Sequence, residues 1–125
     1  MASSSFFAAA RAYSEKLLGG PINEVESTLT VGALLTQIVN FNGDRVGLVI
    51  VNLGANDIFV APSAAASTTN GIRLAANGGF MSLDVTEDFT LPARAWFGFP
   101  NAATSAIYVL EIIRFSLSPK ASNTA

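Results

Sequence analysis

The sequence predicts an all-β fold, an antiparallel β-sandwich of the single jelly-roll type with about eight strands. Short apolar segments separated by Asn, Gly and Pro turns recur at about eight to twelve residues, which is the spacing of sandwiches and jelly rolls. Helical segments do not alternate with these strands, so a βαβ fold lacks its helices. No internal repeat is visible, which disfavours solenoids and propellers.

Residues 1–20 are predicted to be a helical arm. Ser5 can cap a helix that runs to Leu18, its Ala-rich body has high helix propensity, and Gly19-Gly20-Pro21 ends it. The helix carries one apolar stripe, made by Phe6, Ala10, Tyr13 and Leu17. This stripe either packs on the domain's own core or docks on a neighbouring subunit, and the sequence leaves both open.

Residues 21–116 are predicted to be the β-sandwich domain, and residues 117–125 a flexible polar tail. The turn Asn42-Gly43-Asp44 predicts a hairpin, and the next connection a second one. The small-residue loop from Pro62 to Gly71 should be exposed. The predicted strands are Glu24–Val31, Gln37–Phe41, Val46–Asn52, Ile58–Ala61, Ile72–Leu74, Phe80–Val85, Phe89–Leu91, Arg94–Phe99 and Ala106–Phe115.

Two of these strands are apolar on both faces, whereas a sandwich strand usually turns one face to water. By alternation, the first has one face made by Val46, Leu48 and Ile50 and another by Val49 and Val51. The last strand has one face with Ile107, Val109, Glu111, Ile113 and Phe115, and another with Tyr108, Leu110, Ile112 and Arg114. The outer faces are therefore covered either by the helix and loops or by other subunits.

The low charge favours cover by other subunits, because charged residues make up 13 % of the chain where about 25 % is typical. Glu111 is expected to pair with Arg45 or Arg94. Neighbouring residues of one strand point to opposite faces, so one of Trp96 and Phe97 belongs to the core and the other can anchor an interface. The candidate subunit-interface residues are Phe6, Phe7, Tyr13, Leu17, Trp96, Phe97 and Phe99.

The residue types argue against catalysis. The chain has no His and no Cys, so Ser-His, Cys-His and thiolate-zinc sites are excluded, and we expect no enzyme activity, cofactor or metal. Asp84, Glu87 and Asp88 cluster at one turn but lack the spacing of a calcium loop, which favours a solvated turn. The seven Lys and Arg are scattered, which predicts no direct nucleic-acid binding. No apolar run is long enough to span a membrane.

The segments GIRLAANGGFMSLDV, PARAWFGF and IYVLEIIRF, in this order, resemble small β-sandwich structural proteins of double-stranded DNA bacteriophages, of the penton, cement or head-decoration type. The resemblance covers Arg45 to Phe115. It implies a virion component without catalytic residues that forms a pentamer or trimer, or caps a lattice of the major capsid protein. The alternative is a carbohydrate-binding β-sandwich for host attachment, for which Trp96, Tyr13 and Tyr108 are the rings available to stack on sugars.

Overall fold

The computed structural model describes residues 2–114, without the side chains of residues 2–6 and 14. Phe115 and the predicted tail 117–125 lie outside the described residues, as does the side chain of Phe6. Helix α1 spans Ala2–Leu18, a one-turn helix α2 spans Val85–Asp88, and a 3₁₀ turn spans Leu91–Ala93. The strands are β1 Ile22–Val31, β2 Thr36–Val39, β3 Arg45–Asn52, β4 Ile58–Ala61, β5 Ile72–Leu74, β6 Phe80–Asp84, β7 Trp96–Pro100 and β8 Ser105–Arg114.

The strands form two antiparallel four-stranded sheets, which confirms the jelly-roll prediction. The first sheet has the order β1-β8-β3-β6 and the second β2-β7-β4-β5. Consecutive strands lie in different sheets except β4 and β5, which pair directly. This alternation between two sheets, with the chain's two ends paired as β1 and β8, is the connectivity of a jelly roll.

The two predicted hairpins before β5 are wrong, because β2 does not pair with β3 and β3 does not pair with β4. The local turn itself does form. The Oδ1 atom of Asn42 accepts from the Asp44 N–H at 2.9 Å, and the Asn42 carbonyl accepts from the Arg45 N–H at 3.0 Å. The turn chemistry fixes a change of direction, but it does not decide which sheet the next strand joins.

The core lies between the sheets and consists of aliphatic side chains with one indole. Trp96 is only 1 % exposed, and its Nε1 atom donates to the carbonyl of Leu91 at 2.9 Å. This bond satisfies the one polar atom of the ring, so the indole can be buried without an unpaired donor. The fully buried aliphatic residues with 0 % exposure are Val31, Leu48, Ile50, Ile58, Val60, Ile107 and Val109.

A β-bulge near the start of β3 overturns the prediction that Val46 lies on the same face as Leu48 and Ile50. The pairing with β8 shifts between Arg45 and Gly47, so the strand gains one residue there. Arg45 and Leu48 both point inward, while Val46 is half-buried and lines a groove on the outer side. Strict alternation assigned Val46 to the wrong face because it assumes a regular strand.

The predicted strand Phe89–Leu91 is also wrong, since this segment connects α2 to the 3₁₀ turn. Asp84 caps α2, with its Oδ1 accepting from the backbone N–H groups of Thr86 and Glu87 at 2.9 and 3.1 Å. Hydrogen bonds, first from the Thr86 hydroxyl, lower the pKa of Asp84. The carboxylate of Asp88 accepts from the Asp84 N–H at 3.0 Å. Two of the three clustered carboxylates therefore hold this turn.

Glu111 pairs with Arg45 rather than with Arg94. The Arg45 side chain is buried at 2 % exposure, and its Nε atom donates to Glu111 Oε1 at 2.9 Å. The remaining guanidinium nitrogens donate to the carbonyls of Asn40, Pro92 and Arg94 at 2.7 to 3.2 Å. The guanidinium thus ties β3 to the two connections at this end of the sandwich.

Candidate assembly surfaces

The outward side of the first sheet is an apolar surface, which we name the outer apolar face. On β3 and β8 the inward residues Leu48, Ile50, Ile107 and Val109 are completely buried, whereas the large outward apolar residues are half-buried. The face continues onto β6 with Phe80, which is 66 % exposed and pairs with Val51. The outer apolar face consists of Val49, Val51, Phe80, Tyr108, Leu110 and Ile112.

The outer apolar face has an acidic border on one side. Glu24 and Glu26 project from the edge strand β1, and Glu26 stands opposite Leu110 in the ladder. Both glutamates are exposed, and within residues 2–114 neither forms an ion pair. Burial raises the pKa of the Tyr108 hydroxyl, and the charge of nearby Glu26 raises that pKa further. The border is therefore a negative strip beside apolar surface.

Among the described side chains, those near the end of helix α1 lie against the outer apolar face where β1 begins. Leu17 and Leu18 line a groove of about 270 Å³ together with Val49 and Ile112. Further along the helix, Arg11 donates to the Ile22 carbonyl at 3.0 Å and pairs with Glu15 at 3.0 Å. The helix thus partly covers the Ile112 end of the face.

Two residues of the predicted apolar stripe of α1 are exposed. Tyr13 is 68 % exposed and Leu17 is 58 % exposed. Phe7, which lies to the side of this stripe, is also exposed and lines a shallow pocket with Ile22 and Glu24. Tyr13 and Leu17 therefore remain available for contact with another molecule.

The second sheet carries its own outward aromatic group, which we name the phenylalanine patch. Phe59 pairs with Phe99 across β4 and β7, and Phe97 lies two residues from Phe99 on the same side. All three rings are half-buried. The candidate interface residues Phe97 and Phe99 are thus on the surface, whereas Trp96 is in the core and cannot contact a partner.

An exposed ion pair lies next to the phenylalanine patch. Arg73 stands opposite Phe59 in the ladder and donates from two nitrogens to Asp57 Oδ2, at 2.9 and 2.7 Å. The backbone N–H of Ala76 and the guanidinium of Arg73 lower the pKa of Asp57. Unlike the outer apolar face, this patch is bordered by a cation that is already paired.

Several exposed apolar side chains in the connections were missed by the sequence analysis. Such residues lie in turns, where hydrophobic periodicity gives no signal. The only sequence sign of their exposure is a large apolar side chain within a polar segment. They add to the apolar surface at both ends of the sandwich. They are Leu34, Phe41, Leu53 and Phe89.

A polar groove of about 480 Å³ opens between the sheets beside Arg45 and Glu111. Its walls include Gln37, Asn40 and Asn42, but the Arg45 guanidinium and the Asn42 Oδ1 atom already have partners inside the protein. Among residues 2–114, no three Asp or Glu side chains are grouped so that they could hold a metal ion. In the same range no helix is long and apolar enough to cross a membrane.

No protein-family model matches this sequence, and a search of curated proteins finds no match. A search of solved structures finds similar chains at low sequence identity. A Bacillus endospore appendage protein, from disulfide-linked pili, is 12 % identical with a TM-score of 0.46, over 76 % of this chain and 88 % of that one. The SPBc2 prophage-derived protein YomS is 8 % identical with a TM-score of 0.42, over 72 % and 95 %.

A cupin superfamily protein from Desulfitobacterium hafniense is 9 % identical with a TM-score of 0.41, over 74 % of this chain and 67 % of that one. These similarities concern the β-sandwich fold alone. Function has to be inferred from the surfaces of this chain.

Proposed function

We propose that this chain is a non-enzymatic structural protein of a bacteriophage virion. In this proposal it is a minor capsid component, either a penton or a cement protein, that assembles with the major capsid protein and with its own copies as a pentamer or trimer. The observation that carries the proposal is the outer apolar face, an uncharged surface on which Phe80 is 66 % exposed and Val51 and Leu110 are half-buried.

The physical argument is the free energy of exposed apolar surface. Burial of such surface stabilises an association by roughly 25 cal/mol per Å², and stable interfaces bury about 800 Å² on each partner. A protein with apolar groups on both outward sheet faces and on its arm offers several separate contact areas. Several apolar contact areas are what we expect of a subunit that binds neighbouring subunits on more than one side.

The chemistry of the chain supports a structural role over a catalytic one. The absence of His and Cys removes the usual nucleophile and metal sites, and two of the partly buried carboxylates are engaged in structural bonds. Asp57 binds Arg73 and the Ala76 N–H, while Glu111 binds Arg45. We likewise propose no direct contact with nucleic acid, because the basic residues do not form a continuous strip.

The carbohydrate-binding alternative has less support than the assembly proposal. Trp96, the strongest ring for stacking on a sugar, is in the core. Tyr108 belongs to the outer apolar face beside Glu26, and Tyr13 lies on the arm. None of these three rings is among the residues that line the polar groove between the sheets.

The proposal is tested by purifying phage particles that encode this chain and measuring its copy number by quantitative mass spectrometry. We expect a fixed ratio to the major capsid protein, with about five copies at each five-fold vertex for a penton. Absence from washed particles contradicts the proposal, and glycan binding by a monomer favours the alternative instead. Leu110→Lys should reduce incorporation, whereas Leu34→Lys, in a loop between the sheets, should not.

A further inference from the structure

The arm and the outer apolar face are both exposed and lie on the same side of the molecule. We propose that two copies of this chain pair through these surfaces, with Tyr13 and Leu17 of each arm packed on the outer apolar face of the other copy. The inference rests on the same outer apolar face as the proposed function. It concerns free copies in solution, which pair two by two through that face, in place of the pentamer or trimer proposed within the virion.

The spacings of the two surfaces agree. Tyr13 and Leu17 are four residues apart on a helix, a rise of about 6 Å. Val49 and Val51 are two residues apart on a strand, a rise of about 7 Å. Across the ladder Val51 pairs with Tyr108 and Val49 with Leu110. Each arm residue can therefore meet one cross-strand pair.

The width of the arm matches that of two strands of the outer apolar face, and the charge of the arm is opposite to that of the acidic border. A helix about 10 Å wide covers two strands that lie about 4.8 Å apart, and β3 and β8 are the two neighbouring strands with apolar outward residues. On the arm, Lys16 is exposed and forms no ion pair within residues 2–114. The strip beside β8 carries Glu24 and Glu26, so the cation of the arm and the acidic border attract each other.

The phenylalanine patch is a less suitable partner for the arm, because its border carries the cation Arg73 rather than carboxylates that form no ion pair within residues 2–114. A two-fold axis allows both arms and both faces to be buried at once, since the contact is reciprocal. The arm does not have to leave its own domain. Arg11 keeps its bond to the Ile22 carbonyl while Tyr13 and Leu17 point outward.

Disulfide trapping tests the contact directly, because the sequence contains no Cys and any disulfide between single-Cys variants joins two copies. Tyr13→Cys and Val51→Cys are purified separately, mixed and mildly oxidised. We expect a mixed dimer to form in preference to pairs with Thr68→Cys, a control in the exposed β4–β5 loop.

Two results of the trapping experiment overturn the proposal. One is a yield of the mixed dimer no higher than with the Thr68→Cys control. The other is a disulfide within one chain of the Tyr13→Cys/Val51→Cys double variant at high dilution, without mixed dimers between the single variants, because the arm would then cover its own face.

Sedimentation of the unmodified chain provides a second readout. We expect a concentration-dependent dimer, a monomer for Leu110→Lys and a dimer for Leu34→Lys, with all three chains folded by circular dichroism. A folded wild-type monomer or a pentamer overturns the two-fold contact. Incorporation into particles is measured separately, so a chain that is monomeric in solution but present in particles refutes this inference and leaves the proposed function standing.

Discussion

The two faces of β3 and β8 have nearly the same chemistry and opposite environments. Inward, Leu48, Ile50 and Val109 are 0 % exposed between the two sheets. Outward, Val49, Val51 and Leu110 are equally aliphatic, yet they are half-buried and form the middle of the outer apolar face. A sandwich of this size needs one apolar face for its core, so the second face has another use.

An apolar residue is expected to be buried, but its hydrophobicity does not tell whether its own chain or another molecule covers it. Inner residues gain their free energy from folding, whereas outer residues gain theirs from association with another molecule. Substitutions on the two faces should therefore separate stability from assembly.

The largest difference in unfolding free energy is expected between substitutions of a buried arginine and of an exposed one. Arg45→Met removes the cation that pairs with Glu111 and leaves three carbonyls without their donor, which should destabilise the fold by about 3–5 kcal/mol. Arg73→Met breaks only an exposed pair with Asp57 and should cost far less, because exposed ion pairs contribute little to stability. Urea unfolding measures both. Equal losses would contradict the assigned difference in burial.

A smaller but cleaner contrast uses two valines on neighbouring strands. Val109→Thr places a hydroxyl in the core without a change of shape and should cost about 1–3 kcal/mol of unfolding free energy. Val51→Thr places the same hydroxyl on the outer apolar face and should cost less than about 0.5 kcal/mol, while weakening assembly. Urea midpoints and particle incorporation of both variants check this. A destabilising Val51→Thr would mean that this face is already covered within the monomer.

The smallest effect concerns acid stability. The pKa values of Asp57 and Asp84 are lowered in the folded protein, so the contributions of these carboxylates are present above their unfolded pKa of 3.8 and disappear as pH falls through the folded values. Asp57→Asn should therefore lose less stability than wild type between about pH 5 and pH 2. Urea midpoints across this range test the sign. A parallel loss in both proteins would contradict it.

Much of the fold followed from the sequence because strand spacing and alternation are local signals. They located all eight strands, the helix and the two-faced character of β3 and β8. They did not determine which sheet each strand joins, since the Asn42 turn is the same whether it closes a hairpin or crosses between sheets. The bulge beside Arg45 was also missed because it depends on the partner strand.

The candidate surfaces were only partly predictable for a similar reason. Alternation separated Trp96 from Phe97 but did not tell which of the two faced the core. Phe59 and Phe80 join their patches through pairing with distant strands, and such pairs are not visible in a linear sequence. The exposure of Phe89 depends on a positive φ of 58° at the end of α2, which no propensity scale favours for an aromatic residue.

The most direct test of the central claim is the accessibility of the outer apolar face before and after assembly. A Val51→Cys chain has one thiol, and its rate of reaction with a maleimide is measured in dilute free protein and in intact particles. The account predicts a rate in particles that is lower by more than about tenfold, because another protein covers the face. A thiol that reacts equally fast in both states would contradict it.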